Sequence, residues 1–175
     1  MESFSYYDLG RIEYGEALDL QTNSFQSLID AKRKGLEEKN CLYFCEHNPV
    51  LTLGKSGKET NLLVPELLLK EKGVSLFHID RGGDITYHGP GQITGYPVFD
   101  LDGFGMGLKA YIHTLEDIVI EFLLLYGVKA ERLDGATGVW LDSKVPGAAR
   151  KICAIGVKSS HFVTMHGFAL NINTD

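Results

Sequence analysis

Two short stretches carry residue types that could do chemistry. The first, Arg81-Gly82-Gly83-Asp84-Ile85-Thr86-Tyr87-His88-Gly89-Pro90-Gly91-Gln92, sets an arginine and a histidine at the two ends of a Gly-flanked segment. Glycine lets a loop turn at positive φ and lets a ligand approach the backbone closely. Between the glycines, Asp84 to His88 has the β-branched and aromatic content of a short strand. Two tight turns around a hairpin strand give the same pattern with no function attached. The second stretch, Arg150-Lys151-Ile152-Cys153-Ala154-Ile155-Gly156-Val157, alternates so that Lys151, Cys153 and Ile155 share one face of a strand. A lysine among apolar neighbours loses solvation, which lowers its pKa and makes it a usable base. A lysine that protects a strand edge from aggregation fits the same spacing.

The spacing Arg-Gly-Gly-x-x-x-Tyr-His-Gly-Pro-Gly-Gln resembles the signature of the lipoyl(octanoyl) transferases. The related lipoate-protein ligases typically follow the His with Asp, where this chain has Gly89-Pro90-Gly91. Three further segments are similar to family ones. Glu46 to Gly54 is followed by the basic Lys55; Lys151 to Gly156 fits Lys-Ile-x-Ala-x-Gly; and Met165 to Asn173 fits the strand before the family nucleophile.

The resemblance implies a biotin/lipoyl protein ligase-like catalytic domain. It also implies transfer of an octanoyl group from octanoyl-acyl carrier protein, through a cysteine thioester, to a lysine of lipoyl domains. Those domains belong to 2-oxoacid dehydrogenase complexes and the glycine cleavage H protein, and the reaction is the first step of endogenous lipoate synthesis. No ATP, metal or other cofactor is implied. Lys151 takes the role of the lysine that activates the nucleophile, since an ammonium group beside a thiolate stabilises it. Arg81, Gly82, Gly83, Asp84, Ile85, Thr86, Tyr87 and His88 are expected to line the acyl site. Ala154, Ile155 and Gly156, with Gly167, Phe168 and Ala169, should supply backbone groups and room for an alkyl chain. His88 is expected to hydrogen-bond the acyl carbonyl or to relay a proton.

One family feature is missing. The nucleophile normally sits in a Pro-Cys-Gly turn beyond the last matched strand, and this sequence runs to Asp175 without one. The expectation is a single catalytic domain, 1–175, truncated before its nucleophile. Cys153 lies near Lys151, but a buried cysteine behaves as a small hydrophobe whose pKa is raised, so it is not taken as a substitute. Two other readings stand beside the transferase: an ATP-dependent lipoate-protein ligase with the same fold, and a non-catalytic module that holds acyl or lipoyl groups.

Composition sets the frame. The chain has 175 residues, 44% of them hydrophobic and 23% charged, which suits one globular domain with a real core. Met1 to Gly10 lacks the basic and apolar run of a signal peptide, and no stretch has the length of a membrane helix, so a cytoplasmic protein is expected. A net charge of −6 disfavours nucleic acid. It also makes acidic carriers awkward partners, so a local basic patch is sought in Lys144, Arg150, Lys151 and Lys158. Three cysteines argue against a disulfide framework, with Cys41 and Cys45 read as core thiols on one strand face. No Cys-x-x-Cys or His-Glu-x-x-His pair suggests a metal.

The elements that must position these residues follow from periodicity. Helices are expected at Tyr14 to Lys34, Pro65 to Lys72 and Leu108 to Tyr126. The last should bury Leu108, Tyr111, Ile112, Leu115, Ile118, Val119, Phe122 and Leu125, with His113 and Glu116 on its polar side. Strands are expected at Cys41 to Glu46 and Val50 to Gly54, joined as a hairpin, then at Val74 to Ile79 and Asp84 to His88. Others are expected at Tyr96 to Leu101, Gly138 to Leu141, Lys151 to Lys158 and His161 to Asn171. Pro97 suggests an edge strand or a strand start, and Lys55 to Asn61 reads as a mobile loop. Together they give an α/β (α+β) fold: a mixed, largely antiparallel sheet packed with helices.

Overall fold

A computed structural model describes residues 3–174. Asp175, on which the expectation of a truncated end turns, lies outside them. Strands β1 (Phe4–Ile12), β2 (Asn40–His47), β6 (Gln92–Val98), β7 (Glu131–Leu133), β8 (Ala136–Leu141), β9 (Arg150–Ser160) and β10 (Val163–Asn171) form a seven-stranded sheet. Their order is β1-β2-β6-β10-β9-β8-β7. Only β1 and β2 run parallel within it; the other pairs are antiparallel. A second sheet of order β4-β3-β5 is built from β3 (Val50–Leu53), β4 (Ser75–His78) and β5 (Ile85–His88).

Helix α1 (Tyr14–Lys34) has the predicted bounds and ends on Gly35 in the left-handed region, whose N–H returns to the last turn. It buries Ala17, Phe25, Leu28 and Ile29 against Tyr43, Cys45, Tyr96, Val98 and Met165 of the large sheet. Helix α3 (Leu108–Leu125) makes a second core with Val139, Cys153 and Leu170. The short α2 (Glu66–Glu71) follows Pro65, which serves as its N-cap.

Several expectations need correction. Strands β2 and β3 do not pair as a hairpin: the chain leaves the large sheet at His47 and enters the small one at Val50. Pro97 lies in an interior strand, opposite Leu42 of β2. Its missing donor falls on the β10 side, where the ladder has stopped at the Gly95–Phe168 pair and the Thr164 hydroxyl donates to the Pro97 carbonyl instead. The buried stripe of α3 is Tyr111, Leu115, Val119 and Leu123, so Leu108, Ile118, Phe122 and Leu125 remain exposed. Glu116 is buried on that stripe, at 3% exposure, and accepts from the Gly138 N–H, Arg132 Nε and His113 Nδ1. The segment after Gly54 is pinned at its start: Gly54, Lys55 and Ser56 donate to the carbonyls of Asp84, Arg81 and Gly83.

Candidate active site

The small sheet and the Arg81 loop close over the β9–β10 side of the large sheet, leaving a cavity of about 180 Å³. One wall is the first motif. Arg81, Gly82, Gly83, Asp84, Ile85, Thr86 and His88 line it. The opposite wall is Ala154, Ile155 and Gly156 of β9 with Gly167, Phe168 and Ala169 of β10, and Lys151 completes it. Tyr87 is placed elsewhere: it is 43% exposed and its ring lies over Gly89.

The walls are held together by backbone. The Gly82 N–H donates to the Val157 carbonyl at 3.0 Å, tying the Arg81 loop to β9. Arg81 is buried and, among the described residues, has no carboxylate hydrogen-bond partner; its guanidinium donates to the Thr52 carbonyl at 3.0 Å, the Thr52 hydroxyl at 2.9 Å and the Gly82 carbonyl at 2.9 Å. Its direct hydrogen bonds go to neutral acceptors, and the Asp84 carboxylate on the same cavity wall partly offsets its charge.

Three residues that the sequence did not single out also line the cavity: Tyr14, Tyr96 and His166. His166 sits at φ 59°, a conformation uncommon outside glycine, at the break between the β6–β10 ladder and the rest of β10. Its imidazole is 2% exposed and lies 3.5 Å from the Asp80 carboxylate. Burial pushes its pKa down to about 4. Burial likewise pushes His88 down to about 4, so both rings are neutral near pH 7. Burial would raise the Asp80 carboxyl, but the Lys158 ammonium 2.6 Å away outweighs it and holds the group below its usual range. Behind the cavity, His47 Nε2 lies 2.6 Å from the Tyr96 hydroxyl and its Nδ1 3.0 Å from the Ile12 carbonyl.

Lys151 stands at the rim, exposed, with its ammonium 4.6 Å from the centre of the Trp140 ring. Desolvation lowers its pKa, the direction expected from its strand neighbours. The cysteines do not join it. Cys153 packs under α3, and burial pushes its thiol up to about 12; Cys45 lies under α1, pushed up to about 11 by burial. Neither lines the cavity, nor does the half-buried Cys41. Among the described residues no three His, Cys, Asp or Glu side chains form a metal ligand set.

The expected basic patch is neutralised. Lys144 pairs with Glu131 at 2.7 Å, Arg150 with Asp142 at 2.6 Å and Lys158 with Asp80 at 2.6 Å. Of the four, Lys151 alone has no carboxylate partner among the described residues.

Known proteins resemble this chain in sequence and in fold. Residues 13–175 match the family described as lipoyl protein ligase A/B catalytic domain. An octanoyltransferase of Parabacteroides distasonis is 71% identical over the whole of this chain, which spans 79% of that relative. One of Bacteroides fragilis is 58% identical over 94% of this chain and 74% of its own length. Among solved structures, a bipartite lipoate protein ligase from Thermoplasma acidophilum superposes with TM-score 0.71 at 17% identity, over all of this chain and 64% of that one. A lipoate-protein ligase A bound with ATP gives TM-score 0.66, also at 17% identity, over all of this chain and 68% of that one. At such identities the solved structures establish the fold, while the close relatives go further: the chain belongs to the lipoyl protein ligase A/B catalytic-domain family and, within it, to the octanoyltransferases.

Proposed function

We propose that this chain forms the acyl-holding part of an enzyme that moves an octanoyl group from octanoyl-acyl carrier protein to a lysine of lipoyl domains. The acceptors are those of 2-oxoacid dehydrogenase complexes and the glycine cleavage H protein, and the reaction takes place in the cytoplasm. No helix among the described residues is long and apolar enough to cross a membrane. The observation that carries the reading is the place of Lys151: a partly desolvated ammonium, free of any described carboxylate, on the rim of a glycine-walled cavity. None of the three cysteines lines that cavity, which supports the reading that the nucleophile is none of them.

The chemistry then runs in two steps. The thiolate, stabilised by the Lys151 ammonium, attacks the carrier thioester; the new carbon–sulfur bond forms, the old one breaks, and Lys151 gives its proton to the departing carrier thiolate. In the second step the acceptor amine attacks, a carbon–nitrogen bond replaces the enzyme thioester, and the surplus amine proton returns to Lys151. The side chains of Ile85, Ile155, Phe168 and Ala169 offer the alkyl chain an apolar wall. The Arg81 guanidinium stabilises negative charge on the acyl oxygen as it develops.

The test is transfer to a lipoyl domain by a protein carrying this chain and continuing past Asp175, with octanoyl-acyl carrier protein as donor and ATP withheld. Octanoyl-lysine should form without ATP. A requirement for ATP and free octanoate would replace the transferase with a ligase.

A further inference from the structure

Lys151 and His88 flank the cavity on strands that do not pair, β9 and β5, yet a chain of side-chain amides joins them. Asn171 Nδ2 donates to the Lys151 carbonyl at 3.4 Å. Gln92 Nε2 donates to Asn171 Oδ1 at 2.9 Å and to the Tyr87 carbonyl at 3.2 Å. Gln92 Oε1 lies 2.6 Å from His88 Nδ1.

The donors fix the direction of every link. Backbone carbonyls only accept, so the Asn171 amide turns its NH₂ to Lys151 and its oxygen to Gln92. The Gln92 NH₂ then serves two acceptors, Asn171 Oδ1 and the Tyr87 carbonyl, which leaves only an oxygen for the imidazole. An amide oxygen cannot donate, so His88 Nδ1 carries the hydrogen and, in the neutral ring, Nε2 is bare. No described protein group bonds that Nε2. The ring plane is held as well: Tyr14 stacks on it at 6.0 Å and 11°, and His47 meets it edge-on at 5.9 Å.

We propose that Gln92 and Asn171 are positioning residues: they lock His88 as the Nδ1–H tautomer and keep its bare Nε2 as the cavity's hydrogen-bond acceptor for an entering N–H or S–H group. Acyl transfer supplies two such groups, the acceptor amine and the carrier thiol. The inference rests on that reading only for what enters, since the tautomer belongs to the free protein. The cations nearby, Arg81 and, when protonated, His47 and His166, oppose a charge on His88 and so favour the neutral ring.

Long-range ¹H–¹⁵N spectra of histidine-labelled protein at neutral pH read the tautomer directly, with His88→Gln assigning the signals. His88 should show a protonated Nδ1 and an unprotonated Nε2. Gln92→Glu keeps the acceptor, so it should keep that tautomer and raise the His88 pKa. Gln92→Leu should release it and lower kcat roughly 10- to 100-fold with KM little changed, the usual cost of losing such a support. An Nε2–H tautomer in the unmodified protein would overturn the proposal. So would loss of the Nδ1–H form in Gln92→Glu, or full kcat in a folded Gln92→Leu whose tautomer has changed. If octanoyl transfer is absent throughout while His88 reads Nδ1–H, the positioning stands and the acyl-transfer reading falls.

Discussion

Gly156 runs so close beneath Arg81 that a Cβ there would stand 2.8 Å from the Gly82 carbonyl oxygen and 3.2 Å from Arg81 Cδ. The Arg81 loop and β9 are therefore in backbone contact, and the two motifs that look independent in the sequence are opposite walls of one site. Gly156→Ala must push that loop outward, against the 3.0 Å bond from Gly82 to Val157. Overpacking of this kind costs about 1–3 kcal/mol. Transfer activity should fall further than stability does, because the displaced loop carries Arg81. Thermal unfolding and kcat/KM of the same variant check both halves.

Lys151 separates chemistry from stability in the other direction. It is exposed and has no described carboxylate partner, so Lys151→Ala should change stability by less than about 1 kcal/mol, mostly through the lost contact with Trp140. Octanoyl transfer should drop at least about 100-fold, the scale of losing a positioned acid–base group. Lys151→Arg keeps the charge but cannot deprotonate near neutral pH, and should restore little of the rate.

Acid should loosen the fold before the carboxylates titrate. His88 and His166 have folded pKa values lowered to about 4 by burial, against about 6.5 for the unfolded chain. Below pH 6.5 the unfolded state binds more protons, so stability is fully present above that pH and is lost as pH falls toward 4. Each ring contributes at most roughly 3 kcal/mol to that loss. Urea unfolding between pH 7 and 4.5 should show the decline, and His166→Gln should flatten it.

Glu116 supports the backbone beside Lys151: it accepts from the Gly138 N–H, and a Cβ on Gly138 would stand 3.5 Å from Lys151 Cδ and Cε. Burial alone would raise its carboxyl, but the Gly138 N–H, Arg132 and His113 outweigh it and hold the group below its usual range. Glu116→Ala leaves a buried Gly138 N–H without its partner and should cost about 2–4 kcal/mol. Near pH 7, at a temperature where the variant is folded, kcat should fall far less than in Lys151→Ala, because the Lys151 side chain is kept.

The site was legible in the sequence where it is made of local backbone. Gly82, Gly83 and the short strand to His88 stand out by their glycines and β-branched residues, while Ala154 to Gly156 and Gly167 to Ala169 are picked out by their resemblance to family segments. What the sequence hides depends on long-range placement. His166 reads as one more residue of a strand; its φ of 59° and its place beside Asp80 appear only in the fold. Gln92 and Asn171 are ordinary polar residues until β6 and β10 pair them directly. β1 escaped notice because an edge strand with Asp8 and Arg11 exposed shows no clean alternation. Glu116 was placed with the polar face of α3 by periodicity, and only Arg132 and Gly138, far along the chain, make its burial possible. Pro97 misled for the same reason: its tolerance depends on where β10 breaks away.

The central claim is that the octanoyl group is carried as a thioester on a cysteine whose thiol Lys151 activates. Its most direct test is intact mass after incubating octanoyl-acyl carrier protein with a protein that carries this chain and continues past Asp175, followed by hydroxylamine. The account predicts a single octanoyl adduct that hydroxylamine removes, absent from the Lys151→Ala variant and mapped outside Cys41, Cys45 and Cys153. An adduct on Cys45 or Cys153, or one that forms equally well without Lys151, would contradict it.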